Sequence, residues 1–351
     1  MQGSAAAAAS TLAVTNPTGI HYRQLASMID LGVVTPFLGA GANLVDRPPD
    51  EKWTPGSPFL PNGRELAAAL AEASGYPDTS RDPDLLRVAQ FLDASLGEGG
   101  LYMHLRPLFS GAYQPTSLHR FLAQVAKRLR ERNVPRQLII TTNYDVALER
   151  AFDEAGESYD VIWYEARRKP PDRAGKFWHR PPKPAAGEGE ADGEPAPEPV
   201  LIKEPNSYTA LSLDERTIIL KLHGAVDPES RQWDSFVLTE DSYIDYLSRG
   251  DIGEALPKIV KARMEESYFL FLGYSMSDWN LRVILNRIWG SRQLDLMAWS
   301  VQLRPTSDAQ AEIEETLCRQ RGEQLTPLYA QLEEYVAELG AALFKDAKVS
   351  T

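Results

Sequence analysis

Four short polar runs stand where apolar runs end. FLGAGAN covers residues 37–43, TTNYD 141–145, KLHG 221–224 and FLGYSMSDWN 271–280. Gly39-Ala40-Gly41 lets backbone approach a pyrophosphate, and a helix starting just beyond it offers free N–H groups, with Asn43 close by. Asn143 carries donors and an acceptor but no charge, which suits it to orienting a water or a sugar hydroxyl. His223 is of a type that bonds hydroxyls and takes up a proton near neutrality. Gly273 and Ser275 suit a ribose or phosphate, and Asp278 suits a hydroxyl. Each run also has a plainer reading. Glycine pairs make ordinary turns, and GAGAN lacks the third glycine of the dehydrogenase fingerprint. Thr142 or Asn143 can simply cap the next helix, as can Asp278 in its own run. A lone histidine at a strand end is commonly structural.

The elements that must position these runs alternate in type. Apolar runs predict strands at 33–38, 138–142, 159–164, 217–222, 236–238, 267–272 and 297–303. Helical spacing and strong helix formers predict helices at 22–31, 64–74, 84–96, 100–109, 117–132, 144–154, 278–289, 307–321 and 325–343. Strands alternating with helices imply an α/β fold, a mainly parallel Rossmann-like sheet with helices on both faces. A helical subdomain is expected at about 62–133. In such sheets ligands sit beyond the carboxyl ends of the strands, at the topological switch point, and all four polar runs fall on that edge.

Two stretches break the alternation. Residues 45–61 are rich in proline and charge and read as a long loop over the glycine run. Residues 165–200 hold eight prolines and four glycines, basic first and acidic later. Such a composition buries too little apolar surface to offset ordering entropy, so a disordered insertion is expected, either a spacer or a lid or docking segment. Residues 1–18 read as a flexible small-residue tail, 19–305 as the main domain, and 306–351 as C-terminal helices packing on it.

The totals narrow the function. The chain has 351 residues and a formal charge of -12, which argues against a general nucleic-acid binder. No apolar run is long enough to span a bilayer. The single cysteine, Cys318, excludes an internal disulfide and a four-thiolate zinc site. A cytoplasmic protein with no metal is expected.

The ordered set GAG, TTNYD, LHG and GYS resembles the SIR2 family, in its bacterial SIR2-like branch. LPNGREL at 60–66, VLTEDSY at 237–243 and GYSMSDWNLRVIL at 273–285 support it, and the resemblance spans roughly 30–305. It implies NAD as the substrate and cleavage of its nicotinamide–ribose bond. Carried over by motif, Gly39, Ala40, Gly41 and Asn43 would hold the pyrophosphate. Asn143 and Asp145 would lie around the nicotinamide ribose, with Asn143 and His223 catalytic. Gly273, Ser275 and Asp278 would hold the adenosine ribose, and Thr142 and Tyr274 complete the expected NAD contacts.

The chain departs from protein-deacylating sirtuins in lacking their two Cys-x-x-Cys pairs. Zinc-free bacterial relatives are typically NAD hydrolases of anti-phage defence. The resemblance therefore implies an NAD-depleting effector, working as a homo-oligomer or with a HerA-type ATPase or another defence subunit. An NAD or ADP-ribose sensor or scaffold without turnover, a deacylase and an ADP-ribosyltransferase are the competing readings. Such a hydrolase needs restraint; the 45–61 loop, the 165–200 segment and assembly through the first and last helices are the expected routes.

Overall fold

The computed structural model describes residues 16–78, 83–167, 169–183, 197–249, 252–274, 297–305, 307–319 and 325–345. Its strands, in chain order, are β1 (Val34–Leu38), β2 (Leu138–Thr141), β3 (Tyr159–Tyr164), β4 (Phe177–Arg180), β5 (Val200–Ile202), β6 (Thr217–Lys221), β7 (Gly224–Ala225), β8 (Ser235–Phe236), β9 (Tyr268–Leu272), β10 (Ala298–Gln302) and β11 (Leu325–Tyr329). The helices are α1 (Gly19–Asp30), α2 (Gly63–Ser74), α3 (Leu85–Phe109), α4 (Ser117–Glu131), α5 (Ala147–Ala155), α6 (Glu240–Ser248), α7 (Ile252–Ala255), α8 (Lys258–Glu265), α9 (Asp308–Arg319) and α10 (Leu332–Leu343).

Among the described residues one nine-stranded sheet runs β11-β10-β9-β1-β2-β6-β3-β4-β5. From β11 to β3 every pairing is parallel; β4 and β5 add an antiparallel edge. Both faces are covered, so neighbouring residues of a strand serve different cores. Phe37, Ile140, Leu220 and Phe271 pack with Tyr246, Val260 and Met264 of α6 and α8. Leu38, Ile139, Ile219 and Leu270 pack with α1, α4, α5 and α10 on the other side. Pro36 has no N–H for a ladder, and β1 registers with β2 only from Phe37 onward, while pairing with β9 along its whole length.

The chain leaves β1 toward β2, β6 and β3 on one side, and toward β9, β10 and β11 on the other. The switch point therefore lies between β1 and β9, where the first and fourth polar runs begin.

Several expectations are corrected. Residues 325–343 are not one helix: Leu325–Tyr329 is a strand paired to β10, and only Leu332–Leu343 is helical. The last segment thus extends the sheet as well as covering it. The expected disordered insertion at 165–200 contains strands: Phe177–Arg180 pairs with β3 and Val200–Ile202 with β4. The segment's average composition hides FWHR: Phe177, Trp178 and His179 are buried, and His179 binds Asp160 at 3.0 Å and Tyr208 at 2.6 Å. Glu165, also buried, accepts from Arg167 and from Trp178 Nε1 at 2.8 Å, folding the start of the segment back on itself. Residues 184–196 lie outside the described residues, as do 1–15 of the expected tail.

The helical layer is narrower than 62–133. Only α2 and α3 form a separate core, closed by Tyr144 and Phe236, while α4 lies on the sheet. The two helices expected at 84–96 and 100–109 are joined in α3 across a break at Gly97, whose φ is +74°. The first and last helices pack on each other through His21 Nε2 and the Tyr335 hydroxyl, 2.8 Å apart.

Candidate functional site

The glycine run turns sharply off β1. Gly39 N–H donates to Leu272 O and Gly41 N–H to Gly273 O, each at 3.0 Å. A methyl on Gly39 would stand 2.6 Å from Gly273 O, and one on Gly41 2.8 Å from Gly273 Cα. Gly273 itself has φ +77°. Bare backbone is needed here because two loops cross in contact at the switch point. Residues 40–44 form a short 3-10 helix, not the start of an α-helix, and the N–H groups of Gly41 and Ala42 are already bonded within the protein. Less backbone is therefore free for a phosphate than the run suggests.

TTNYD follows β2. Its helix, expected from Tyr144, begins at Ala147, so neither Thr142 nor Asn143 caps it; Asp145 Oδ1 instead accepts from Ala147 N–H at 2.9 Å. Asn143 Nδ2 donates to Gly39 O at 3.0 Å, and its own N–H donates to Thr141 Oγ1. Among the described residues no donor meets Asn143 Oδ1. Asp145 Oδ2 accepts from Asn43 Nδ2 at 2.6 Å, joining the first and second polar runs.

Beneath this loop lies a buried ionic layer that the sequence reading did not assign. Lys221, 1% exposed, donates to Asp145 O and pairs with Glu149 Oε1 at 2.6 Å. Burial pushes the Glu149 carboxyl up, with Lys221 opposing. His119, equally buried, bonds Thr116 Oγ1 at 3.0 Å and is lowered to about 4 by burial. KLHG contained the signal for Lys221: a lysine inside an apolar strand needs a buried acid.

His223 follows β6 and is 3% exposed. Its ring meets Tyr243 and Tyr246 edge-on, with centroids at 5.4 and 5.5 Å. Nδ1 lies 3.4 Å from the Tyr243 hydroxyl, while Nε2 is buried with no partner among the described residues. Burial lowers its pKa to about 3, so the ring is neutral at physiological pH. This corrects the expectation of a group titrating near neutrality.

These residues converge on a cavity of about 330 Å³, lined by Ala40, Asn43, Thr142, Asn143, Asp145, His223, Gly273 and Tyr274. Asn43 Oδ1 is a second buried atom on it without a partner among the described residues. Leu60, Asn62, Leu238 and Tyr243 also line it. These four belong to the runs LPNGREL and VLTEDSY. The 45–61 loop is strapped beside the cavity: Arg47 makes two bonds to Glu65, at 2.5 and 2.8 Å, and holds that carboxyl at about 2. A second cavity, about 580 Å³, opens across the glycine loops, lined by Gly41, Leu44, Gly273, Tyr274, Gln302 and Glu314. Ser275 and Asp278 lie outside the described residues.

Among the described residues no three His, Cys, Asp or Glu side chains are grouped to hold a metal ion. No described helix is long and apolar enough to cross a membrane. Comparison with curated proteins finds no match. The family model for the SIR2-like domain matches residues 137–324. That span carries TTNYD, LHG and GYS; GAGAN lies before it and is joined to it by the Gly41–Gly273 bond. Its members use NAD, and since the match takes in more than half of this chain, the protein belongs to the SIR2-like family.

Proposed function

We propose that the protein is an NAD hydrolase, cleaving the nicotinamide–ribose bond to give nicotinamide and ADP-ribose. The observation that carries this reading is His223 Nε2, buried and without a partner among the described residues, on the same cavity as Asn143. A buried polar atom without a partner costs free energy, and a ribose hydroxyl would satisfy it. The two cavities meet at Gly273 and Tyr274, which suits a ligand with two nucleoside halves joined by phosphates. Each lies within the roughly 300–1,000 Å³ of small-molecule sites.

In the reaction the bond from C1′ to the ring nitrogen breaks, its electron pair leaves with nicotinamide, a water oxygen takes its place on C1′, and the water's surplus proton passes to solvent. The ring departs neutral, so no acid is required on that side. Asn143, with Nδ2 held by Gly39 O, presents Oδ1 as an acceptor for the water or for a ribose hydroxyl. His223, neutral, bonds a hydroxyl and positions the sugar. Holding both partners in place supplies much of the rate.

A sensor that binds NAD or ADP-ribose without turnover is the second reading, favoured by one observation: His223 at about 3 is a weak base. Nicotinamide and ADP-ribose release by wild type, Asn143→Ala and His223→Ala separates the two. Turnover in wild type that both substitutions abolish supports the hydrolase; binding without release in wild type supports the sensor. With one cysteine in the chain, a zinc-module deacylase is disfavoured. A cytoplasmic role in anti-phage NAD depletion, as a homo-oligomer or beside a HerA-type ATPase, extends the same proposal.

A further inference from the structure

Tyr274 sits at the switch point and is 7% exposed. Its ring lies against Gly39, where an added methyl would be 2.9 Å from both Cδ atoms. The ring also meets Phe37 edge-on, with centroids 5.5 Å apart. Its hydroxyl bonds Thr142 Oγ1 at 2.6 Å. Because the strand order is β9-β1-β2, that bond spans the end of β1 and joins the strands on either side of it. Tyr274 and Gly273 belong to both cavities. The residue therefore lines both, and its ring lies against the glycine loop.

We infer that Tyr274 is a specificity-determining latch: bonded to Thr142, it divides the cleft into two nucleoside-sized compartments, and a dinucleotide occupies both only when that bond breaks. The inference rests on the NAD reading above and adds to it a residue that sets the cost of admitting the whole dinucleotide. Each half-ligand fits one compartment without opening the latch. Breaking the bond beforehand therefore strengthens binding of the dinucleotide most.

The test is calorimetric titration of the full chain with a non-cleavable carbocyclic NAD analogue, with AMP and with nicotinamide riboside. The proteins are wild type, Tyr274→Phe, Thr142→Val and Thr142→Ser, each first checked for folding by thermal melting. Tyr274→Phe and Thr142→Val are expected to bind the analogue about three- to tenfold more tightly than wild type, or about 0.7–1.4 kcal/mol at 1.4 kcal/mol per tenfold. Any change in half-ligand affinity should be smaller than the gain for the analogue, because Thr142 and Tyr274 themselves line the compartments. Thr142→Ser, which keeps the hydroxyl, should match wild type. Equal analogue affinity in all four proteins overturns the latch and leaves the NAD reading standing. Weaker analogue binding in Tyr274→Phe and Thr142→Val also overturns it, making these hydroxyls ligand contacts. Binding of half-ligands with no analogue binding in any protein overturns it too, because the compartments then never join. No binding of any ligand by any protein overturns the NAD reading and the latch together.

Discussion

Asn143 donates its side-chain amide to the main-chain oxygen of Gly39 across 3.0 Å. The bond ties the end of β2 to the glycine loop leaving β1, and it fixes which way the amide faces. With one Nδ2 hydrogen committed to the backbone, the acceptor oxygen faces away from Gly39 and meets no donor among the described residues. One contact thus links the second polar run to the first.

Asn143→Ala should reduce NAD cleavage about a hundredfold or more, the usual scale for losing one preorganised polar group at a reacting centre. Asn143→Asp should fare no better, because a carboxylate oxygen would face Gly39 O in place of a donor. Steady-state release of nicotinamide, with melting temperature as a folding control, checks both. Turnover near the wild-type rate in Asn143→Ala would remove Asn143 from the chemistry.

Gly273→Ala should damage stability and site together. Its φ of +77° strains any other residue, and the added methyl would meet the backbone of Gly41, with its carbonyl carbon 2.7 Å away. The strain is on the order of 1–3 kcal/mol before the clash is counted. Thermal melting and NAD titration should both shift; a variant as stable as wild type would show that the loops part freely.

Lys221→Met leaves Glu149 buried without its cation, and should cost about 3–5 kcal/mol. Lys221→Met combined with Glu149→Leu removes both charges and should recover most of that. Asp145 O would still lack its donor, so the double variant should regain stability more fully than turnover. Denaturant unfolding and kcat, measured on the same samples, test this split.

His223 and His119 have folded-state pKa values of about 3 and about 4, against an ordinary 6.5. Below pH 6.5 the unfolded chain takes up protons that the folded chain excludes. Stability therefore falls as pH drops from 6.5 toward 4, by about 1.4 kcal/mol per pH unit for each histidine inside its window. Above 6.5 neither contributes to the pH dependence. Glu149, its pKa raised, acts with the opposite sign above 4.5, and Glu65, lowered to about 2, adds a loss only below 4.5. The histidines are isolated by comparing melting curves of wild type and His119→Gln between pH 5 and 7.5; the variant should show the shallower slope.

Local pattern was enough to read the alternation of strands and helices and the edge on which the polar runs cluster. Those features are written in apolar runs and in what ends them. It failed where averages mislead. FWHR at 177–180 is too short to alter the composition of the segment around it, yet it forms a strand because β3 pairs with it on one side and β5 on the other. Leu325–Tyr329 has a helical neighbour and no turn signal strong enough to separate them, and pairing with β10 decides its state.

What the sequence by itself determined was the family, the parallel α/β sheet and the residue types at the strand ends, since each follows from periodicity or from motif order. Only the tertiary structure decided what those residues do to one another. It set Gly41 against Gly273, buried His223 until its proton affinity fell, placed Lys221 under Asp145, and laid Tyr274 across Gly39 to reach Thr142. Each joins parts of the chain that are not neighbours in sequence, and desolvation and hydrogen-bond geometry exist only once the fold has brought them together.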